Sequence, residues 1–296
     1  MIDAALRRLA RAAWRPLADR ARRQYVAGLE LGDALSLCQA LARRGITGTV
    51  CFWNRPGEGR YVVADAYRAA AAGLRAAALE GCRLSIKAPA LEFDGDLVTA
   101  VVDQCRRTSV DVHFDSLALD GAERTFALIE AALPQHPGLG CTLPGRWARS
   151  VGDADVALEL GLRARVVKGE WPDPADPARD PRKGFLAIVD RLAGRAGSVA
   201  VATHDAPLAR EALHQLRAAG SACELELLLG LPFARAAAVA RALDVRVRLY
   251  VPYGEAYLPY ELARARSEPR VLWWVVRDAA ARPSPERRMR QWPPAA

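Results

Sequence analysis

The chain has 296 residues, of which 51% are hydrophobic and 26% are charged. This length suits one large α/β domain or two smaller ones, and the composition excludes a disordered or fibrous protein. Lys and Arg number 42 against 34 Asp and Glu, so the net charge is +8, yet the only lysines are Lys87, Lys168 and Lys183. Because aromatic residues do not interleave with this arginine background, we expect no nucleic-acid partner.

The chain begins with a predicted helical N-terminal segment over residues 1–44. Ala5–Arg23 is predicted to form a basic helix and Leu31–Arg44 a second helix. No apolar run reaches the ~20 residues of a membrane-spanning helix, and Met1–Arg23 lacks the apolar core of a signal peptide. The basic helix suits either peripheral contact with anionic lipid at the inner face of the membrane or packing on the domain.

Short apolar runs alternate with longer helical segments over residues 45–278. The predicted strands are Gly48–Trp53, Arg83–Ile86, Ser109–Phe114, Leu139–Leu143, Ala164–Val167, Ser198–Ala202, Cys223–Leu229 and Val245–Val251. The helical segments between them include Asp65–Glu80, Glu123–Leu133, Asp153–Leu160, Pro207–Ala219 and Phe233–Leu243. Strands that are mostly apolar on both faces are typical of a parallel sheet covered by helices. Eight such units predict a (β/α)8 barrel, and an open doubly wound sheet is second because no GxGxxG follows the first strand.

Two stretches depart from this alternation. Trp171–Arg182 carries four prolines after the fifth strand and is predicted to be a loop. Residues 279–296 are predicted to form an Arg- and Pro-rich tail.

The six cysteines are dispersed, with Cys51, Cys82 and Cys223 in or beside strand-like runs. We expect them to be reduced and buried, as in a cytoplasmic protein.

The ends of the predicted strands carry polar side chains, which is where barrel enzymes place their catalytic groups. Lys87 ends the second strand and Asp115 follows the third, so a buried ion pair between them is predicted. Lysine is a compact, titratable charge that arginine cannot replace, which favours a function for Lys87 and Lys168 over a rim position. After the last strand, Tyr253, Tyr257 and Tyr260 suit either a cover over the barrel mouth or packing of a terminal helix.

Seven motifs stand in order along the chain and are carried by Tyr25–Gly28 with Glu30, Leu84–Leu91, Val112–Asp115, Arg165–Trp171, Ala202–Asp205, Glu224–Leu231, and Val247–Gly254 through Tyr260 and Arg264. Together they resemble the proline dehydrogenase family, flavoenzymes built on a (β/α)8 barrel with a helix over its carboxyl end. The resemblance covers most of the chain, and six or seven matches on successive strand ends are more specific than any one of them.

The resemblance implies that FAD binds across the carboxyl end of the barrel and accepts a hydride at N5. The substrate would be proline or a related cyclic or secondary amino acid or amine, with proline oxidised to pyrroline-5-carboxylate in the parent activity. A quinone or another acceptor would take the electrons. The implied catalytic residues are Lys87, Asp115, Tyr260 and Arg264. The implied cofactor-binding residues are Arg165, Lys168, Gly169, Trp171, Thr203, His204 and Glu226.

Several positions differ from the family pattern. Ala263 stands where the family has the first of two adjacent arginines, and Pro144 where it has a flavin-binding glutamine. Glu170, Asp205 and Glu226 replace a small residue, an asparagine and a glutamine. The site has therefore gained acidic groups and lost a basic one, which favours a neutral or cationic amine over free proline.

Two other functions remain open from the sequence. A strand-end lysine, Lys87 or Lys168, beside an acidic group could form a Schiff base with a carbonyl substrate, as in a non-redox lyase or aldolase. Alternatively, the chain is a catalytically degenerate homologue that acts as a binding partner. A flavin spectrum, borohydride trapping and co-purification distinguish the three.

Overall fold

A computed structural model describes residues 25–255. Eight parallel strands, paired in sequence order and closed between the last and the first, form a barrel. The strands are β1 (Thr47–Trp53), β2 (Arg83–Ile86), β3 (Asp111–Phe114), β4 (Leu139–Pro144), β5 (Arg163–Val167), β6 (Val199–Ala202), β7 (Cys223–Leu228) and β8 (Arg246–Gly254). This closed topology confirms the predicted (β/α)8 barrel.

Eight α-helices lie within the described part of the chain. They are α1 (Leu31–Ala42), α2 (Arg60–Ala76), α3 (Gly95–Thr108), α4 (Ala122–Ala132), α5 (Ser150–Glu159), α6 (Pro181–Leu192), α7 (Ala206–Ala218) and α8 (Ala234–Ala242). Short 3-10 helices follow β2 at Ala88–Leu91 and precede α4 at Leu119–Gly121. From α2 onward each helix follows one strand, and α1 packs against β1 and β8, so it covers the closure of the barrel.

Some element boundaries differ from their predictions. The helix predicted at Asp65–Glu80 begins earlier, at Arg60. The loop predicted to reach Arg182 ends at Asp180, because Pro181 fits the first turn of α6 and the Asp180 carboxylate caps that turn. The predicted basic N-terminal helix, the tail, and Tyr257, Tyr260, Ala263 and Arg264 lie outside the described residues.

The interior of the barrel is more polar than predicted, because the strands were expected to be mostly apolar on both faces. On β7, the buried pair Leu225 and Leu227 alternates with the buried pair Glu224 and Glu226. Glu224 meets Arg248 of β8, with 2.9 Å between Oε1 and Nε, and it also pairs with Arg83 of β2. Because β2 and β7 are not neighbours in the barrel, these side chains meet through its interior. The apolar core lies mainly between the sheet and the helices.

Within residues 25–255, no helix combines the length and apolar character needed to span a membrane. None of the six cysteines forms a disulfide, and all but Cys223 are buried. The predicted burial is thus correct for five cysteines and wrong for Cys223, which is partly exposed at the start of β7.

Candidate active site at the carboxyl end of the barrel

The centre of the carboxyl end is occupied by one guanidinium and two carboxylates. Arg165, from β5, donates to both oxygens of Glu226, from β7, at 2.7 and 2.9 Å. Its Nη1 also donates to Asp115 Oδ1 at 2.7 Å. Arg165 and Glu226 are buried, at 5% and 3% exposure. Two of the five guanidinium N–H groups remain without a partner among these contacts, so the cluster can still donate to a bound molecule.

Asp115 has three partners besides Arg165. The Ser85 hydroxyl donates to Oδ1 at 2.7 Å, and the Tyr250 hydroxyl donates to Oδ2 at 2.5 Å. The Cys51 thiol lies 3.8 Å from Oδ2. Four donors from four strands or strand ends therefore fix the carboxylate. A carboxylate engaged in this way holds its position and orients its neighbours.

Burial controls the charge states around this carboxylate. Burial raises the pKa of Cys51 to about 12, although the nearby Lys87 opposes the shift. Burial, and then the Asp115 charge, holds the pKa of Tyr250 well above its usual value. Burial disfavours the charged form of Arg165, but Glu226 and Asp115 outweigh it and keep its pKa above the usual value. At neutral pH the thiol and phenol are therefore donors, and Arg165 is a fixed cation.

Lys87 follows β2 at the same end, but it does not form the predicted ion pair with Asp115. Its Nζ lies 5.3 Å from the centre of the Trp53 ring, in cation–π geometry. The ion pairs of the described residues join Asp115 to Arg165 and leave Lys87 without a carboxylate partner. The prediction of a Lys87–Asp115 pair is wrong because Arg165 reaches Asp115 through the barrel interior. Lys87 is thus a cation with capacity for an external anion.

A second basic group lies towards the rim, after β5. The ammonium of Lys168 is 3.0 Å from Asp205 Oδ2, and Nη1 of Arg182 is 3.5 Å from the same oxygen. Arg146 donates through Nε to the carbonyl of Gly169 at 2.9 Å. The hydrogen bond from Lys168, the Leu208 N–H and the charge of Arg182 hold the pKa of Asp205 below its usual value. Asp205 also caps α7 by accepting from the Leu208 N–H.

The turn after β5 depends on glycine. Gly169 has a φ of +87°, and a Cβ there would lie 2.9 Å from Pro144 Cβ. Pro144 is thus a packing partner of this turn, at the position where the resemblance expects a flavin-binding side chain. The Trp147 indole fixes the next residues by donating to the carbonyl of Trp171 at 3.1 Å. The Trp171 side chain is 41% exposed.

His204 joins β6 to the loop after β7. Its Nε2 accepts from the Leu228 N–H and its Nδ1 lies on the carbonyl oxygen of Pro232, each at 2.9 Å. This pattern requires a neutral ring with the proton on Nδ1, and burial holds the pKa of His204 below its usual value. Both nitrogens are engaged, so the ring can offer a ligand only its face or edge. The neighbouring Thr203 hydroxyl accepts from the Asp205 N–H at 3.2 Å.

The structure thus brings most of the implied site residues to one end of the barrel. The implied cluster Lys87, Asp115, Arg165 and Glu226 lies at its centre, whereas Lys168 and Gly169 are nearer the rim. The sequence analysis missed Cys51, Ser85 and Tyr250 as partners of Asp115. The sequence feature that could have identified them is the alternation of side chains along a strand. Ser85, for example, stands two residues before Lys87, and residues two apart on a strand point to the same face. Residues 25–255 contain no cluster of His, Cys, Asp and Glu suited to a metal ion.

Comparisons with known proteins agree with the fold. No family model matches the chain. A curated relative, proline dehydrogenase 1 of Bacillus subtilis subsp. natto, is 22% identical over 262 residues, which is 83% of this chain and 86% of the relative. Solved structures of proline utilization A (PutA) from Bdellovibrio bacteriovorus and Corynebacterium freiburgense superpose with TM-scores of 0.67 and 0.68 at 15% and 19% identity.

The PutA structures are much longer than this chain. They match 87% and 93% of it, but the matched part is only 32% and 34% of their own length. The chain therefore spans about a third of each PutA protein. At this identity the superposition shows the shared barrel fold alone.

Proposed function

The chain is a divergent relative of the proline dehydrogenases, and from this premise we propose that it oxidises proline or a related cyclic or secondary amino acid or amine with FAD. Electrons would pass to a quinone or another acceptor. The observation that carries the proposal is the convergence of Lys87, Asp115, Arg165 and Lys168 at one end of the barrel. These four residues come from three of the motifs that resemble the family.

The donor set at the rim fits a dinucleotide cofactor. Lys168 and Arg182 contact the carboxylate of Asp205, and Arg146 binds the carbonyl of Gly169, the residue after Lys168. A diphosphate is a natural partner for such a group of cations. The turn at Gly169 has no room for a side chain, so backbone can approach a ligand closely there. These features support FAD as the cofactor, with its phosphates held by Lys168 and its neighbours.

A bound FAD would supply the hydride acceptor, N5 of its ring. The contribution of the chain is position and charge. Arg165 is held rigidly by Glu226 and Asp115, so its remaining N–H groups are oriented before any ligand arrives. A fixed cation beside the ring would stabilise the negative charge that develops there on reduction.

Lys87 is the proposed anchor for the substrate carboxylate. Its Nζ is partnered by the Trp53 ring rather than by a carboxylate of the described residues, so an anion can bind without displacing an existing ion pair. The neighbouring cluster of Arg165, Asp115 and Glu226 carries a net charge of −1 and faces the amine end of such a substrate. A substrate with a carboxylate at one end and an amine at the other fits this pair of charges.

Asp115 is proposed to position its neighbours rather than to act as a base. Its carboxylate oxygens already accept from four donors, so it holds those side chains in place. Tyr250 and Ser85 are held at fixed angles by this carboxylate. These contacts reduce the freedom of the site around the substrate.

The test is the visible spectrum of the purified protein, as isolated and after incubation with FAD. The proposal predicts a flavin spectrum that bleaches without oxygen on addition of L-proline, pyrrolidine or another cyclic secondary amine. A protein that retains no flavin after reconstitution would contradict it. Borohydride reduction with a carbonyl substrate that leaves a covalent adduct on Lys87 or Lys168 would favour the non-redox lyase.

A further inference from the structure

Two cysteines meet at the amino end of the barrel, opposite the candidate active site. Cys38 lies on α1 in the buried stripe that also contains Ala34, Leu37 and Leu41. Cys82 directly precedes β2. The side chains are 1% and 6% exposed, respectively. Neither thiol takes part in the proposed reaction.

Gly48 of β1 lets the two sulfur atoms approach each other. A Cβ on Gly48 would lie 2.7 Å from Cys38 Sγ and 3.6 Å from Cys82 Sγ. Both sulfur atoms therefore lie next to the space that a side chain at position 48 would fill. The Gly48 N–H donates to Cys82 Sγ at 3.3 Å. Cys82 therefore has a backbone donor aimed at its sulfur, with the Cys38 sulfur beside the same glycine.

A nearby cation adds to this arrangement. Arg248 donates to the carbonyl oxygens of Gly48 and Gly81 at 2.9 and 3.0 Å, which fixes its charge beside Cys82. The neighbouring Cys38, the Gly48 N–H and the Arg248 charge lower the pKa of Cys82 against the effect of burial, whereas the neighbouring Cys82 and burial raise the pKa of Cys38. One thiol is thus favoured as thiolate and its neighbour as thiol.

We propose that Cys38 and Cys82 are a peroxide-reactive thiol pair, in which Cys82 attacks the oxidant and Cys38 closes a disulfide that fastens α1 to the start of β2. A reactive thiolate beside a second thiol is the arrangement found in redox-sensitive cysteine pairs. Because α1 covers the closure between β1 and β8, the disulfide would hold the barrel closed at that point. The inference is independent of the proposed oxidation of amines.

The oxidant is hydrogen peroxide, and the reaction balances in two steps. The Cys82 thiolate attacks one peroxide oxygen, the O–O bond breaks, and the sulfur is oxidised to a sulfenic acid while hydroxide leaves and takes up a proton. The Cys38 sulfur then attacks Cys82, the S–O bond breaks, and the second oxygen leaves as water. Two thiols and one peroxide give one disulfide and two molecules of water.

Peptide mass spectrometry after brief treatment with hydrogen peroxide tests the proposal on the native full chain. We expect a Cys38–Cys82 linked peptide, lighter by two hydrogens and reversed by dithiothreitol. Cys223 is the internal comparison, because it is more exposed than Cys82 and burial raises its pKa. We expect Cys82 to react at least about tenfold faster than Cys223, the effect of one unit of pKa on the thiolate fraction.

Two variants separate the roles of the sulfurs. C38S should stop at the sulfenic acid on Cys82, which dimedone traps, whereas C82S should leave Cys38 unmodified. C105S is the matched control, because Cys105 is a buried lone thiol whose pKa is raised by burial to about 12, and this variant should still form the link. Oxidation of Cys223 before Cys82, or wild-type protein without the linked peptide after Cys223 has reacted, would overturn the proposal.

Discussion

Glu226 accepts hydrogen bonds from Arg165 on both of its carboxylate oxygens, at 2.7 and 2.9 Å, inside the carboxyl end of the barrel. The same guanidinium also binds Asp115 at 2.7 Å, so one cation serves two anions. Glu226 therefore determines the net charge of the cluster. The position that differs from the family pattern is also the one that makes the centre of the site acidic.

Replacing Glu226 with glutamine should favour substrates that carry a carboxylate. E226Q keeps the shape of the side chain and takes the cluster from −1 to neutral, so repulsion of an anionic group falls. We expect the Kd of L-proline to decrease by about three- to tenfold relative to that of pyrrolidine, as for a partly screened charge worth about 1 kcal/mol. Substrate titrations of the flavin spectrum measure the ratio.

The control for E226Q is E130Q, which removes an exposed carboxylate on α4. It should leave the ratio of the two dissociation constants unchanged. Equal ratios in E226Q and wild type would show that the charge of Glu226 does not act on the substrate.

His113 should make the stability of the protein depend on pH below neutrality. It is 4% exposed, and its Nε2 lies 2.9 Å from the Thr142 hydroxyl oxygen. Burial, followed by the charges of Arg165 and other arginines, holds its pKa well below the usual value. The folded state thus resists protonation, whereas the unfolded state takes up a proton below pH ~6.5. Stability conferred by His113 is present above that pH and is lost as the pH falls.

Urea unfolding at pH 7.5 and 5.5 measures this loss. His113 should contribute a decrease of up to about 1.4 kcal/mol in the free energy of unfolding between the two values. H113N should remove this contribution, so the free energy of unfolding should depend less on pH. H214N, at an exposed histidine of α7, should keep the wild-type dependence on pH. An unchanged slope in H113N would contradict the prediction.

Two helical glycines should respond in opposite ways to alanine. A Cβ on Gly184 of α6 would lie 1.9 Å from the carbonyl oxygen of Gly145, whereas a Cβ on Gly152 of α5 would meet no atom within 4 Å. G152A should stabilise the protein by about 0.5–1 kcal/mol through helix propensity. G184A should destabilise it by about 1–3 kcal/mol, because backbone must move. Thermal unfolding of both variants checks the contrast, and a stabilised G184A would refute the close approach.

The sequence predicts the barrel well because its signals are local. Apolar runs locate all eight strands, and most boundaries move by only one or two residues. For example, the third strand begins at Asp111 instead of Ser109, and the seventh ends at Leu228 instead of Leu229. The last strand was predicted to end at Val251 but continues to Gly254, because Pro252–Gly254 pair with Cys51–Trp53 of β1. That pairing depends on closure of the barrel, and Pro252 by itself is a signal that ends a strand.

The site is less predictable because its contacts cross the barrel. Neighbouring strands suggested that Lys87 would pair with Asp115, yet Arg165 takes Asp115 from two strands away. The length and direction of the Arg165 side chain decide which group pairs with Asp115. The order of the strands does not reveal either property. Tyr250 likewise reaches Asp115 from the far side, so its part in the site appears only in the folded structure.

Lys87 is proposed to anchor the carboxylate of an amino acid whose oxidation reduces the bound flavin. The direct measurement is the rate at which L-proline bleaches the flavin of FAD-loaded protein in the absence of oxygen, in wild type, K87M and K183M. Lys183 lies exposed on α6, so K183M is a matched loss of charge away from the site. We predict bleaching in wild type and K183M, with an apparent Kd about 30-fold or more higher in K87M, the effect of losing about 2 kcal/mol. Absence of bleaching in all three proteins, or the same Kd in K87M and wild type, would contradict the account.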